Sequence, residues 1–361
     1  MKLINDKREL IRSRFIDPDS PIIDALKQMD QVGTKLLIIQ KENSFINLIS
    51  IGDLQRAIIK NTSLSSPISS VTRKKVRVAS PDMTENQIKK VILEHRMEFL
   101  PVIKEKQILD VFFWEEFFEN TRRIQNNLNL PVVIMAGGVG TRLRPITHVI
   151  PKPLIPVGEY TMLEHIMSKF SQEGCNDFYL TINYKSDMIK YYMGGKKDNP
   201  YNIHYIEENT PLGTAGSLGL INKKFTSPIF VTNCDIYVNE NYSEIFDYHK
   251  KNENDITVVA AILNHHIPYG CLETGKNGIL QKINEKPTFT YKINAGFYII
   301  EPKMIDEIPK NTFFHITHLI DKCIANSGKV GVFPISQKSW VDIGQWDKYL
   351  SIKDGSDNWI F

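Results

Sequence analysis

The chain is 361 residues long, 42% hydrophobic and 24% charged, with a formal net charge of +3. That length allows two domains with full cores, and so slight a positive balance gives no ground for nucleic acid as a partner. No apolar stretch approaches the roughly 18 residues of a membrane span, the charged start MKLINDKREL does not read as a signal peptide, and Cys175, Cys234, Cys271 and Cys323 are too scattered for a disulfide or zinc framework, so a reduced cytoplasm is expected.

Residues 20–54 lie without gaps on residues 83–117, at a constant offset of 63. Each unit predicts helix, strand, short turn, strand, helix, with Leu37, Ile38 and Ile39 falling on Leu100, Pro101 and Val102. Half a core per unit implies that the two pack together. Residues 1–122 resemble a pair of CBS modules, an α+β (Bateman) domain. The resemblance implies a purine nucleotide in the cleft, its ribose held by a Ser/Thr-x-x-Asp stretch that Ser50 and Asp53 match. Phe113 and Glu116 stand at those places in the second unit, so at most one regulatory nucleotide is expected. A purely structural or dimerising pair, and with it a homo-oligomer, is the other expectation. Read alone, Asp53 is a helix N-cap residue. The polar stretch 123–129 reads as a linker, and 130–361 as the second domain.

From residue 130 strands alternate with helices. Val132, Val133 and Ile134 read as a buried parallel strand, and MAGGVGTRLRP (135–145) begins where it should end. Gly137, Gly138 and Gly140 permit positive φ and close approach of a ligand. The N–H groups of such a turn bind anions, and Arg142 and Arg144 add fixed charge. A nucleotide's phosphates are the simplest ligand. No Gly-Lys-Ser/Thr of a Walker A loop is present. The dinucleotide pattern fails at Leu143, where its third glycine belongs, which removes an NAD-linked oxidoreductase. PKPLIPV (151–157) sets Lys152 in an extended, proline-stiffened segment suited to a phosphate contact. A helix is expected from Thr161 through Met162, Leu163, Ile166, Met167 and Phe170 to Gly174. Strands over 178–182 and 203–206 flank another, capped by Ser186. The expected class is α/β and Rossmann-like, a mostly parallel central sheet with helices on both faces.

EENTPLGTAG (207–216) is a second ligand stretch. Its small residues let a flat base lie against the backbone, and Glu207 or Glu208 can accept both donors of a guanine edge; two solvated loop acids are the plain alternative. The strand Ile229–Thr232 delivers Asp235 to the carboxyl end of the sheet, where open α/β sheets bind ligands. Mg²⁺ is held by one or two carboxylates plus substrate phosphates, which suits Asp235, with Cys234 packing the other way. Asp342, among apolar neighbours in WVDIG (340–344), is the candidate second ligand. Pro268–Gly270, Glu285–Pro287 and Asn294–Gly296 form a polar series on β-rich segments. His315, His318 and Asp321 have helical spacing, but a plain helix surface is favoured over a metal site.

Taken in order, MAGGVGTRLRP, PKPLIPV, PLGTAGSL, NCD, Pro268-x-Gly270, EKP, NAG and WVDIG resemble the sugar-1-phosphate nucleotidyltransferases across residues 130–361. The resemblance implies that the loop of Gly137, Gly138, Gly140 and Thr141 holds a nucleoside triphosphate together with Arg142. It implies phosphate contact by Lys152, a base beside Gly213, and Mg²⁺ on Asp235 and Asp342. Gly270, Glu285 and Asn294 are implied to hold the sugar, and Lys286 its phosphate. A CBS pair before such a domain, with NCD at the metal position, resembles the guanylyltransferases of bacterial legionaminic acid pathways, which act on glucosamine 1-phosphate. Mannose-1-phosphate guanylyltransferases share the motifs nearly as well. The expected reaction is transfer of GMP from GTP to a sugar 1-phosphate, with release of pyrophosphate, for surface glycan synthesis. A nucleotide-sensing protein on an inactive transferase fold is the expectation from another class. Broken motifs would favour it, and Arg142, Lys152, Asp235, Lys286 and Asp342 are all in place.

Overall fold

The computed structural model describes residues 2–95, 97–118, 127–196 and 200–353. The chain divides into two compact units, Met1–Arg123 and Ile124–Phe361. Most of the expected linker, 123–126, lies outside the described residues.

The first unit opens with α1 (Lys2–Arg12) and β1 (Phe15–Ile16). Then come α2 (Ile22–Val32), β2 (Leu36–Lys41), β3 (Ser44–Ser50) and α3 (Ile51–Ile59), followed by α4 (Glu85–His95), β4 (Phe99–Lys104), β5 (Gln107–Phe113) and α5 (Trp114–Phe118). Each element of the second set begins 63 residues after its counterpart: Glu85 after Ile22, Phe99 after Leu36, Gln107 after Ser44, Trp114 after Ile51. Even the break in hairpin register repeats, between Ile39 and Gln40 and again between Val102 and Ile103. α2 buries Ile22, Ala25, Leu26 and Met29, one helical stripe, and ends at Gly33 with φ of 70°. Ile38, Phe45 and Leu48 share a core with Phe99, Val111 and Phe113, so neither repeat has a complete core alone.

Ser50 caps α3 in a reciprocal box with Asp53. The Asp53 carboxylate is buried, and both its oxygens are engaged. Oδ2 accepts from the Ser50 N–H at 2.9 Å and the Ser50 hydroxyl at 2.7 Å, while Oδ1 accepts from Arg73 Nε at 2.6 Å and pairs with Arg56. Burial pushes its pKa up, but these donors outweigh it and hold the carboxyl below its ordinary value. Asp53→Ala is expected to cost about 1.5–3 kcal/mol, the arginines being half exposed. Because the folded pKa is depressed, this stabilisation is present above the unfolded value and lost as pH falls through the folded one. Denaturant melts at pH 7 and pH 3 check it: the wild-type advantage should be large at the first and shrink at the second.

In the second unit β6 (Val132–Met135) leads to the small hairpin β7 (Pro156–Val157) and β8 (Tyr160–Thr161), then α6 (Met162–Gln172), β9 (Asp177–Ile182), α7 (Ser186–Gly194) and β10 (Asn202–Glu207). β11 (Ile229–Asn233), β12 (Ile236–Val238), α8 (Tyr242–Lys251) and β13 (Ile256–His266) follow. A hairpin of β14 (Cys271–Thr274) and β15 (Leu280–Asn284) precedes β16 (Thr288–Ile300), α9 (Pro302–Ile305), α10 (Ile316–Ala325), β17 (Val330–Ser336), β18 (Trp340–Asp342) and α11 (Trp346–Lys353). Among the described residues the main sheet has seven strands, in the order β10-β9-β6-β11-β16-β13-β17. Only β16 runs against the rest, being antiparallel to both β11 and β13. One face carries Val132, Ile134, Phe178 and Phe230 against Leu163, Ile166 and Phe170 of α6. There Phe170 and Phe297 stack at 5.6 Å, with a 4° interplanar angle. The other face packs Val133, Tyr179, Val231 and Tyr298 on Leu319 and Cys323 of α10. The period-two alternation of β6 thus feeds two cores, as a sheet covered on both sides requires.

Two local expectations are corrected. Ser186 is the first residue of α7 and not its cap; the cap position is Lys185 in the left-handed region with φ of 54°, where its ammonium donates to the carbonyls of His148 and Val149. Lys152 sits in a 3₁₀ turn, 152–154, and not in an extended run: Pro151 is extended, but the fixed φ of Pro153 suits a helical first turn equally well.

Candidate active site

The carboxyl ends of β6 and β11 lie side by side, with Met135 opposite Asn233, and each turns off into a polar loop. After β6 the Gly137–Gly140 segment passes into a 3₁₀ turn, Thr141–Leu143. Gly140 has φ of 71°, and a Cβ there would meet Thr147 Cγ2 at 2.8 Å and Lys152 Cβ at 3.1 Å. A Cβ on Gly137 would fall 2.7 Å from Glu208 Oε1, whereas Gly138 faces open space. Gly137 and Gly140 are therefore needed for close packing, and Gly138 leaves room beside the loop. The exposed Thr141 follows, and Arg142 reaches from the turn to two acids.

Those acids are Asp235 and Asp342. β12 pairs antiparallel with β18, setting Ile236 opposite Asp342, and the Ile343 N–H donates to the Asp235 carbonyl at 2.9 Å. Asp235 is 4% exposed and pairs directly with the Lys152 ammonium. Arg142 lies 3.5 Å from Asp235 Oδ2 and donates to Asp342 Oδ2 at 3.2 Å. Gly344 closes the cluster: a Cβ there would collide with Asp235 Oδ2 and meet Lys152 Nζ at 2.8 Å and Asp342 Oδ1 at 2.9 Å. Burial raises the Asp235 pKa; Lys152 opposes the rise and Asp342 adds to it. Asp342 moves the other way, since the Gln345 amide, Arg142 and Asp235 together outweigh its burial. The neighbouring Cys234 is wholly buried, its thiol pushed up to about 12, which makes it packing and not a nucleophile.

Two carboxylates with two cations between them form a hard-oxygen donor set. It fits Mg²⁺, which takes few protein ligands and completes its shell with phosphate oxygens and water. Among the described residues no group of three or more His, Cys, Asp or Glu is placed to hold a metal. His315 and His318 serve the start of α10 instead, the His315 N–H donating to His318 Nδ1 at 3.2 Å.

Glu207 and Glu208 have different surroundings. Glu207 ends β10, is exposed, and pairs with Lys190 at 2.7 Å. Glu208 is 9% exposed, with Oε2 accepting from the Leu212 N–H at 3.1 Å and Oε1 beside Gly137. Its burial raises its pKa. Gly213, with φ of 80°, lies so close to the Phe314 carbonyl that a Cβ would come within 2.8 Å, and the Thr214 hydroxyl accepts the Ile316 N–H at 3.0 Å. The Leu212–Gly216 loop is thereby docked between Glu208 and the head of α10.

Of the residues implied for the sugar and its phosphate, Gly270, Glu285 and Lys286 lie at the base of the β14–β15 hairpin, and Asn294 lies on β16. The turn at Gly270 meets the turn at Glu285, a Gly270 Cβ lying 2.9 Å from Glu285 Oε2. Lys286 has φ of 44°, uncommon for a residue with a Cβ. Asn294 stands opposite Ala260, and its Oδ1 accepts the Gly296 N–H at 3.0 Å. Gly296 has φ of 74°, and a Cβ there would strike Asn233 Nδ2 at 2.6 Å, two residues before Asp235. Asn233 and Gly344 belong to the NCD and WVDIG motifs but, like Gln345, take no assigned role from the sequence; the glycine two residues after Asp342 was the available signal for the second.

A family model described as "Nucleotidyl transferase" matches residues 131–357, and one described as "CBS domain" matches residues 8–60, the first of the two repeats. The chain is 33% identical over 230 residues to mannose-1-phosphate guanyltransferase 2 of Candida glabrata, covering 61% of this chain and 62% of that protein. It is 32% identical over 234 residues to mannose-1-phosphate guanyltransferase of Saccharomyces cerevisiae, with the same coverage of 61% and 62%. The chain therefore spans about 62% of the length of these curated relatives. Among solved structures it is similar to a candidate glucose-1-phosphate thymidylyltransferase from Bacillus anthracis, determined with sucrose. The TM-score is 0.51 at 21% identity, covering 64% of this chain and 97% of that one, a likeness of fold.

Proposed function

Because the chain belongs to the nucleotidyl transferase family, which its residues 131–357 match, we propose that it transfers GMP from GTP to a hexose 1-phosphate and releases pyrophosphate. The observation that carries this most is the convergence of Asp235, Asp342, Lys152 and Arg142 around Gly344, at the mouth of the glycine loop. Both cations are held on carboxylates, ready to turn to phosphate oxygens, for which charge-assisted hydrogen bonds are strong.

In the proposed reaction a phosphate oxygen of the sugar 1-phosphate attacks the α-phosphorus in line. The bond to the β-phosphate oxygen breaks, and pyrophosphate leaves. The attacking phosphate has a second pKa of about 6, so it is largely ionised at pH 7 and needs no general base. That accords with the inert thiol of Cys234 beside the site. The chain's part is to hold two anions at reacting distance and spread their charge over Arg142 and Lys152. Asp235 and Asp342 would hold Mg²⁺, which when bound supplies further charge neutralisation at the phosphates.

Guanine is the base proposed, and Glu208 the residue that reads it. Glu208 is supported over Glu207 because it is buried against the glycine loop while Glu207 is engaged by Lys190. Glu208→Gln should lower kcat/KM for GTP about ten- to hundredfold, the cost of leaving a buried polar partner unsatisfied. Initial rates with GTP, UTP, CTP and dTTP test this; wild-type rates equal for all four would exclude guanine reading. For the acceptor, mannose 1-phosphate is favoured over glucosamine 1-phosphate by what the curated relatives are named for.

A further inference from the structure

We propose that Gln345 is a positioning residue for Asp342, holding that carboxylate in place when Arg142 leaves it for a triphosphate. The inference rests on the nucleotidyl-transfer function proposed above. Gln345 stands at the head of α11, where its carbonyl accepts the Tyr349 N–H at 2.9 Å, so the helix fixes its backbone. The next residue ties the same helix start to the phosphate loop: Trp346 Nε1 donates to the Arg144 carbonyl at 3.0 Å. From that base the Gln345 amide turns back and donates from Nε2 to Asp342 Oδ2 at 2.9 Å.

Asp342 has two other donors. Oδ1 accepts the Gly344 N–H at 2.9 Å, and Oδ2 accepts Arg142 Nη1 at 3.2 Å. The three differ in what they do when a nucleotide arrives. The Gly344 N–H is main chain, beside a residue with no room for a Cβ, and it stays. The Arg142 side chain is 57% exposed and is shared between both acids. A triphosphate offers it more negative charge and bidentate geometry, and draws it away. Oδ2 then keeps the Gln345 amide. A neutral amide suits this place: it fixes the carboxylate plane without cancelling the charge a divalent ion needs, whereas a permanent cation would compete with the ion. Outer hydrogen-bond partners of ligating carboxylates typically contribute about 10- to 100-fold in metal affinity.

The test is Mn²⁺ binding to the full chain, read by electron paramagnetic resonance in the presence of a non-hydrolysable GTP analogue, in wild type and Gln345→Met. The methionine keeps the length of the side chain and removes the donor. Mn²⁺ affinity is expected to fall about tenfold or more. The Mg²⁺ concentration for half-maximal rate should rise in step, while KM for the sugar 1-phosphate and the melting midpoint stay put. Equal Mn²⁺ affinity in the two proteins overturns the role of Gln345 and leaves the transferase standing. No Mn²⁺ bound with nucleotide by the wild type overturns both.

Discussion

Asp235→Ala is expected to lower kcat by a factor on the order of 10² to 10³, with the fold retained. Asp235 is 4% exposed, its pKa is raised by burial, and it pairs with Lys152 and shares Arg142 with Asp342. Removing it withdraws one of the two carboxylates proposed to hold a divalent ion and leaves Lys152 without its counter-charge. Leaving Lys152 unpaired should cost some stability, as breaking a buried pair from one side does, but the fold should survive. The β12–β18 ladder and the Ile343 N–H to the Asp235 carbonyl survive, since they use main-chain atoms alone. Steady-state pyrophosphate release together with a denaturant melt checks both halves. Unimpaired turnover would remove Asp235 from the reaction, and collapse of the fold would make it a structural residue.

Lys152→Ala should lose as much activity and lose stability too. The pair it forms with Asp235 has side chains only 12% and 5% exposed, so truncation leaves a buried carboxylate without compensation. Breaking such a pair from one side typically costs about 3–5 kcal/mol. The sign of the pH dependence follows. With its cation gone, the folded pKa of Asp235 stands further above the unfolded one. The folded state then binds more protons between the two values, and the deficit grows as pH rises through that window. The double variant Asp235→Ala, Lys152→Ala should be more stable than Lys152→Ala alone, the mark of a coupled pair. Additive losses in a double-mutant cycle would contradict the pairing.

Much of this architecture could be read from the residues. The 63-residue offset reappears at each element of the second repeat, because the repeats share one core and neither can drift in register without exposing it. The apolar run at Val132, Val133 and Ile134 marked a central strand, and the glycines after it marked where the main chain must approach its neighbours. Pairwise placement could not be read. Nothing local to Asp342 says that β18 will pair with β12 and set it beside Asp235; that follows from long-range strand pairing. Glu207 and Glu208 are adjacent and chemically alike, and only the Gly137 backbone on one side and Lys190 on the other tell them apart. Lys185 in the left-handed region displaced the cap assigned to Ser186, because its ammonium finds two carbonyls that lie far off in sequence.

The most direct test of the central claim is phosphorus NMR of wild-type protein given GTP, mannose 1-phosphate and Mg²⁺, repeated with glucosamine 1-phosphate and with chelator. A GDP-hexose and pyrophosphate should appear in equal amounts, and chelator should stop both. Inorganic phosphate and GDP in place of those products, or no turnover with either sugar, would contradict nucleotidyl transfer at the Asp235–Asp342 site.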